Sequence, residues 1–136
     1  MPLIDWNPSL SVNVKQFDDQ HIKLAGMVNT LHEAMKIGQG AKELGKILDD
    51  LISYTSTHFS DEERNMETYR YPGVAAHKAE HAELVKQVLD LQKRYIAGET
   101  VLLSINMMKF LKDWLVKHIQ GDDKLLGEFL NSKGVH

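Results

Sequence analysis

The stretch HKAEHAELVKQVLDL, residues 77–91, carries apolar side chains three and four positions apart, and His77 and His81 continue that spacing at its start. Residues at this spacing lie on one face of an α-helix. The stretch therefore predicts an amphipathic helix whose buried face begins with two histidines. A Pro-Gly pair before it and Gly98 after it mark its ends, which gives a predicted helix over about residues 74–97.

The same periodicity recurs along the rest of the chain, and the period-two alternation typical of strands is almost absent. We therefore predict an all-α protein with an extended N-terminal arm, four long helices and a short C-terminal helix. The arm covers residues 1–17, the helices cover about 18–37, 41–69, 74–97 and 100–120, and the tail helix covers about 122–130. Short connections favour an up-down-up-down antiparallel four-helix bundle, in one domain over residues 1–136. Asp18 or Asp19 is the predicted N-cap of the first helix.

Composition excludes several classes of protein. The net charge of −3 argues against a nucleic-acid binder, which needs a basic face. No apolar run reaches the roughly 18 residues of a membrane span, and the N-terminus lacks the layout of a signal peptide. The absence of cysteine excludes disulfides, iron–sulfur clusters and thiolate zinc sites, and it suits a reducing compartment. We expect a cytoplasmic protein.

Histidine interrupts the apolar stripe of every predicted long helix, although burying an unpartnered polar group costs about 1–3 kcal/mol. The five histidines on these stripes are His21, His58, His77, His81 and His118. Glu62 lies one turn after His58, and Asp122 or Asp123 follows His118 by four or five residues. Imidazoles and carboxylates are ligands for Fe, Mn or Zn. Five imidazoles with two carboxylates exceed the four ligands of a tetrahedral zinc and suit two metal ions that share carboxylates.

Four motifs in this order resemble the hemerythrin family, in particular its single-domain bacterial members. They are His21, H-F-S-D-E-E at residues 58–63, H-K-A-E-H at 77–81 and H-I-Q-G-D-D at 118–123. The resemblance extends over essentially the whole chain. It implies a four-helix bundle that binds O2 reversibly at two non-haem iron ions.

The resemblance also implies a ligand set. His77, His81 and His118 would hold one iron, and His21 and His58 would hold the other. Glu62, Asp123 and an oxo or hydroxo group would bridge the two ions, and the iron with two histidines would keep an open position for O2. Four apolar residues flank the ligands at helical spacing and resemble the family's O2 pocket wall: Phe59, Trp114, Leu115 and Ile119. An apolar wall would keep water from the bound ligand.

Helix geometry and the resemblance disagree at one position. In a regular α-helix a residue at i+5 lies about 140° around from residue i, so spacing selects Asp122 as the partner of His118, whereas the resemblance selects Asp123. We follow the resemblance and expect irregular backbone between residues 118 and 123, which Gly121 would permit. Asp122 is then expected to face solvent or to cap the tail helix.

The expected function is reversible O2 binding for transport, storage or delivery, not enzymatic turnover. Two alternatives are an oxygen or redox sensor, which usually needs an output domain, and a di-iron enzyme such as a peroxidase or a nitric-oxide-consuming protein. Ferritin-like di-iron sites use Glu-x-x-His motifs, and this sequence contains none. Iron storage would need an acidic entry path that the sequence does not identify. We expect a monomer with O2 as its partner and no nucleic-acid or membrane partner; no recipient protein is indicated.

Overall fold

The computed structural model describes residues 3–37, 41–96 and 100–136. Within these ranges the chain forms five α-helices and two shorter helical turns. The helices are α1 (Lys15–Lys36), α2 (Ala41–Thr68), α3 (Val74–Ile96), α4 (Thr100–His118) and α5 (Lys124–Ser132). A 3-10 turn at Pro8–Leu10 lies in the N-terminal arm, and a π-helical turn at Ile119–Asp123 joins α4 to α5.

The four long helices form a closed bundle in which α1 contacts α2 and α4, and α3 contacts α2 and α4. Consecutive helices are neighbours because the connections between them are short. The predicted all-α four-helix bundle is confirmed. Its core draws apolar side chains from the arm, the four helices and α5. Among the most deeply buried apolar residues are Phe17, Leu31, Leu48, Met66, Ile119, Leu126 and Leu130. No helix within the described ranges is long and apolar enough to cross a membrane.

The start of α1 differs from the prediction. The helix begins at Lys15, and neither Asp18 nor Asp19 is its N-cap. The Asp18 carboxylate instead accepts hydrogen bonds from the backbone N–H of Val12 at 2.8 Å and from the hydroxyl of Ser11 at 2.6 Å. The prediction failed because this carboxylate binds the preceding arm, whereas an N-cap binds the N–H groups of the helix that follows it.

The N-terminal arm is held on the bundle by contacts to its own backbone. The carboxamide of Asn29 accepts from the N–H of Ile4 at 2.8 Å and donates to its carbonyl oxygen at 2.9 Å. The carbonyl oxygen of Val12 lies against Gly127 of α5, where a Cβ atom would be only 2.2 Å from it. Glycine is therefore needed at this crossing, because any side chain would collide with the backbone of the arm.

The end of α2 is a Schellman-type stop. The N–H of Tyr71 donates to the carbonyl of Met66 at 2.8 Å, and the N–H of Arg70 donates to that of Glu67 at 3.3 Å. Arg70 adopts a φ of 56°, the left-handed conformation that this motif requires. The turn predicted before the third helix is present, and α3 begins where the sequence indicated.

The connection between α4 and α5 is continuous. The N–H of Lys124 donates to the carbonyl of Ile119, five residues earlier, which is the hydrogen bond of a π-helix. The predicted irregularity between residues 118 and 123 is confirmed, and its form is a π-helical turn without a break at Gly121. The tail helix begins at Lys124, not at residue 122. The predicted break at residues 38–40 and the predicted stop at Gly98 lie outside the described residues.

Candidate metal centre

The seven residues that the family resemblance implies as metal ligands all lie inside the bundle, each no more than 3% exposed. They come from every long helix and from the π-helical turn. The contributors are His21 from α1, His58 and Glu62 from α2, His77 and His81 from α3, His118 from α4 and Asp123 from the turn. The helical spacing that puts apolar side chains in the core therefore also brings six of these residues together, and the π-helical turn adds Asp123.

The seven residues form two overlapping groups, within each of which the candidate ligand atoms all lie within 4.8 Å of one another. We call them the three-histidine group and the two-histidine group. The three-histidine group comprises Glu62, His77, His81, His118 and Asp123, and the two-histidine group comprises His21, His58, Glu62 and Asp123. Both carboxylates belong to both groups, so each group has a different set of imidazoles around a shared pair of acids.

Each shared carboxylate directs its two oxygens towards different groups. Asp123 Oδ2 lies 3.1 Å from Nε2 of His21, whereas Asp123 Oδ1 lies 3.0 Å from Nε2 of His77 and 3.1 Å from Nε2 of His118. Glu62 Oε1 lies 2.6 Å from Nε2 of His58, and Glu62 Oε2 lies 3.4 Å from Nε2 of His77. This is the arrangement that two carboxylates need to bridge two cations.

These close approaches do not make hydrogen bonds. Among the described residues, both carboxylate oxygens of Glu62 and of Asp123 are buried and have no hydrogen-bond partner. The same is true of four histidine Nε2 atoms, those of His21, His77, His81 and His118. Leaving so many buried polar atoms unpaired is costly unless a cation occupies the space towards which they converge. The donor set of imidazole nitrogens and carboxylate oxygens suits a metal ion such as iron.

The buried negative charges of the site also require a cation nearby. Burial opposes ionisation of Glu62, yet the adjacent histidines, first among them His58, hold the pKa of Glu62 well below its usual value. Burial and the charge of Glu62 likewise oppose the ionisation of Asp123, but its interactions with His118, His21 and His77 together outweigh them, so the pKa of Asp123 is lowered. Two buried carboxylates therefore remain ionised and require positive charge beside them.

In the metal-free site, imidazolium groups supply that charge. Burial disfavours the charged forms of His21 and His77, but the adjacent carboxylates of Asp123 and Glu62 outweigh it and raise the pKa of His21 to about 9 and that of His77 to about 10. His81 differs, because burial lowers its pKa. A metal ion would replace the protons on His21 and His77, since only a deprotonated imidazole nitrogen can be a ligand.

Asp122 lies outside the metal site with a side chain that is 37% exposed, and it does not cap α5. Its Oδ2 atom lies 3.2 Å from Nδ1 of His118, so it also contacts the outer side of the imidazole. The nearby carboxylate of Asp122 also raises the pKa of Glu80. The π-helical turn explains why Asp123, and not Asp122, faces the site, because it brings the residue five positions after His118 to the inner side and leaves Asp122 outside.

Two further outer contacts were not foreseen from the sequence. His81 Nδ1 lies 3.0 Å from Oε2 of Glu63, and His58 Nδ1 lies 2.5 Å from Oε1 of Gln20. Histidines that bind metals usually donate their other ring N–H to such an acceptor. The signal that could have identified Glu63 is its place in the chain, one residue after the candidate ligand Glu62.

Apolar rings cover the histidines on one side. The ring of Phe59 stacks on His81 with centroids 3.8 Å apart, and the ring of Trp114 stacks on His118 at 4.4 Å. These two side chains and Leu115 border a cavity of about 30 Å³ whose other lining residues are Leu24, Val28, Leu51, Thr55, Leu84, Val88 and Leu111. Ile119 is buried next to His118 in the chain but does not line this cavity, so its place in a pocket wall stays a prediction.

Comparisons with known proteins agree with this geometry. The family model "Hemerythrin HHE cation binding domain" matches residues 12–130. The bacteriohemerythrin of Methylococcus capsulatus is 43% identical over 133 residues, which are 97% of this chain and 100% of that protein. The bacteriohemerythrin of Stenotrophomonas maltophilia is 37% identical and is aligned over 91% of this chain and 79% of its own length.

Solved structures give the same result. The crystal structure of a wild-type hemerythrin superimposes with a TM-score of 0.84 at 41% identity, covering 94% of this chain and 98% of that one. A variant of hemerythrin in which one leucine is replaced by alanine has a TM-score of 0.86, also at 41% identity, over 96% of this chain and 98% of that one. From the family model, the sequence identities and the bundle itself, this chain belongs to the hemerythrin family.

Proposed function

We propose that this protein binds O2 reversibly at a non-haem di-iron centre and serves as an oxygen carrier, store or delivery protein. The observation that carries the proposal is the pair of buried donor groups that share Glu62 and Asp123. Each shared carboxylate has one oxygen near either group, and these oxygens have no hydrogen-bond partner among the described residues. Two cations would satisfy all of these atoms at once.

The two groups differ in their number of donors, and this difference supports an assignment of roles. The three-histidine group offers five residues and would hold one iron, with His77, His81 and His118 as its own ligands. The two-histidine group offers four and would hold the other, with His21 and His58. An oxo or hydroxo bridge would complete the centre. The iron with fewer protein ligands is the one at which an external molecule has room to bind, and the iron pair would supply the electrons for that binding.

The protein's own contribution is exclusion of water and of proton donors. Phe59, Trp114 and Leu115 line the 30 Å³ cavity, which is large enough for a small molecule, and the rings of Phe59 and Trp114 also stack on His81 and His118. An apolar cavity of this kind tends to stay free of water and suits an apolar gas. Ile119, buried beside His118, is proposed as part of the same wall.

The cavity also favours binding over turnover. Among the described residues that line it, only Thr55 and Trp114 carry a polar group, and none carries a titratable one. Peroxidase or oxidase chemistry needs a positioned group to deliver protons to the reduced oxygen, and general acid catalysis of this kind typically contributes 10²–10⁴-fold. We therefore propose a binding protein and not an enzyme.

We further propose that the protein is a cytoplasmic monomer. The absence of cysteine suits a reducing compartment. Among the residues whose burial the structure describes, the exposed large apolar side chains are spread over α1, the residue after it, α3 and α5. Sedimentation of the iron-loaded protein would measure the oligomeric state, and a stable dimer would contradict the proposal.

The decisive experiment is an optical titration of the reduced protein under anaerobic conditions. The iron content should first be two ions per chain. Addition of O2 should then produce a visible charge-transfer band, and removal of O2 should abolish it over repeated cycles. The variant His77→Ala, which removes a ligand of the three-histidine group, should lose iron and the band.

Other outcomes would assign the protein differently. Irreversible oxidation without the band would support a sensor or an enzyme. Catalytic consumption of peroxide or nitric oxide by the loaded protein, well above that of free iron, would support the enzyme alternative. An iron content below one ion per chain after reconstitution would contradict the di-iron centre itself.

A further inference from the structure

The outer nitrogens of the histidines have acceptors of two chemical kinds. In the three-histidine group, Nδ1 of His81 faces the carboxylate of Glu63 at 3.0 Å and Nδ1 of His118 faces that of Asp122 at 3.2 Å. In the two-histidine group, Nδ1 of His58 faces the carboxamide of Gln20. Two histidines of the three-histidine group thus have anionic outer acceptors, whereas the outer acceptor of His58 is neutral.

The orientation of the Gln20 carboxamide is fixed by a third residue. The Nε2 atom of Gln20 donates to Oδ2 of Asp61 at 2.8 Å. A carboxylate accepts hydrogen bonds and does not donate them, so the amide NH2 must face Asp61 and the amide oxygen must face His58. The contact of 2.5 Å between Gln20 Oε1 and His58 Nδ1 then requires the proton of His58 to be on Nδ1. The other ring nitrogen, Nε2, is left free to face the metal site.

We propose that Gln20 is a positioning residue, which fixes the tautomer of His58 and, as a neutral acceptor, keeps this ligand a weaker electron donor than His81 and His118. The inference rests on the di-iron centre proposed above. A carboxylate that accepts from a ligating histidine raises the basicity of that ligand, and an amide does so less. Gln20 therefore makes the two iron positions electronically unequal, with the less electron-rich position where O2 is proposed to bind.

This inference can be tested by exchanging the amide of Gln20 and the carboxylate of Asp61, which leaves the net charge unchanged. The double variant Gln20→Glu with Asp61→Asn puts a carboxylate against His58 and an amide where Asp61 stood. We expect the di-iron centre to keep both ions, to show a lower midpoint potential than the parent, and to lose its oxygenated form several times faster. The single variant Asp61→Asn shows what the loss of the Asp61 charge contributes.

A matched control is available between α2 and α3. Gln92 donates to the carboxylate of Asp49, which is also a bond between a glutamine and an aspartate on neighbouring helices. The variant Gln92→Glu with Asp49→Asn makes the same exchange nine residues before His58 and should leave the midpoint potential unchanged. A parental midpoint potential in the Gln20 exchange variant would overturn the electronic part of the proposal, as would an equal shift in the control.

The tautomer can be tested without O2 or iron. In the protein loaded with Zn²⁺, which is diamagnetic, ¹⁵N NMR should show His58 protonated at Nδ1, with a proton that exchanges slowly with water. Gln20→Ala should make that proton exchange rapidly and should weaken Zn²⁺ binding about 10–100-fold. Gln20→Glu with Asp61→Asn should retain slow exchange, because an acceptor oxygen remains.

The outcomes separate this inference from the proposed function. Zn²⁺-loaded protein in which His58 is protonated at Nε2, or unchanged exchange in Gln20→Ala, would contradict the positioning role even if the parent binds O2 normally. Failure of the parent to bind O2 while the NMR results hold would contradict the proposed function and leave the positioning of His58 intact.

Discussion

His118 Nε2 and Asp123 Oδ1 lie 3.1 Å apart although the two residues are five positions apart in the chain, because the π-helical turn Ile119–Asp123 brings the carboxylate back to the face of the histidine. The adjacent Asp122 contacts the opposite nitrogen of the same ring. We expect Asp123→Asn to lose at least one of the two metal ions, since it removes a buried charge near both groups. Metal analysis after reconstitution measures this.

Asp122→Asn is the matched control at the neighbouring position. It keeps an acceptor for His118 Nδ1, and its side chain is 37% exposed, so the free energy of unfolding should change by about 1 kcal/mol or less. Both ions should remain. Metal loss from Asp122→Asn with retention in Asp123→Asn would mean that simple helical spacing identifies the ligand.

Removal of metal should destabilise the fold. Ligand binding to the native state alone adds roughly 4 kcal/mol when free metal is a thousand times its dissociation constant. For a chain of this size that corresponds to a melting temperature lower by about 10–20 °C after chelation. Calorimetry of the loaded and chelated proteins measures the difference. Equal melting temperatures would show that the buried histidines and carboxylates are satisfied without a cation.

In the metal-free protein, stability should fall as pH rises. The pKa of His21 is raised from 6.5 to about 9 and that of His77 from 6.5 to about 10 by their carboxylate partners. The stabilisation that these groups contribute is complete below about pH 6.5 and is lost as pH rises through 9 to 10. Urea unfolding of the chelated protein between pH 6.5 and 10 tests the sign, with His21→Gln as a control that should flatten the profile. A free energy of unfolding that increases over this range would contradict the prediction.

Leu115 is expected to slow the loss of bound O2 in addition to stabilising the core by packing. Leu115→Ala enlarges the cavity beside His118 and should cost about 2–5 kcal/mol, with both ions retained and a faster loss of the oxygenated form. Leu48→Ala removes a leucine that is 1% exposed and does not line the cavity, so it controls for destabilisation. If both variants lose the oxygenated form at the parental rate, Leu115 acts through packing only.

Two glycines should respond to alanine with opposite signs. A Cβ on Gly127 would meet the carbonyl oxygen of Val12 at 2.2 Å, so Gly127→Ala should destabilise by about 1–3 kcal/mol as the arm is displaced. A Cβ on Gly26, within α1, would have open space for 4 Å around it, and Gly26→Ala should stabilise by about 0.5–1 kcal/mol. Urea titration measures both. Destabilisation of equal size in the two variants would rule out the contact with Val12 as the cause.

Much of this molecule follows from periodicity alone. The spacing of His77, His81 and the apolar residues after them determines both a helix and the face that it buries, because 3.6 residues per turn leave few alternatives. The same rule put His21, His58, Glu62 and His118 on inward faces, and the structure has all of them buried. The sequence alone was therefore sufficient to predict the four-helix bundle and most of the candidate ligands.

Tertiary structure decided what periodicity could not. Helical spacing chose Asp122 over Asp123, and only the local π-helical turn reverses that choice. The carboxylate of Asp18 binds the arm through Val12, which changes where α1 begins. Gln20 and Glu63 became partners of histidines on other helices, contacts that depend on how helices pack. The periodicity of a sequence determines its helices and the faces that they bury. The partner of a polar atom on another helix depends on how those helices pack in three dimensions.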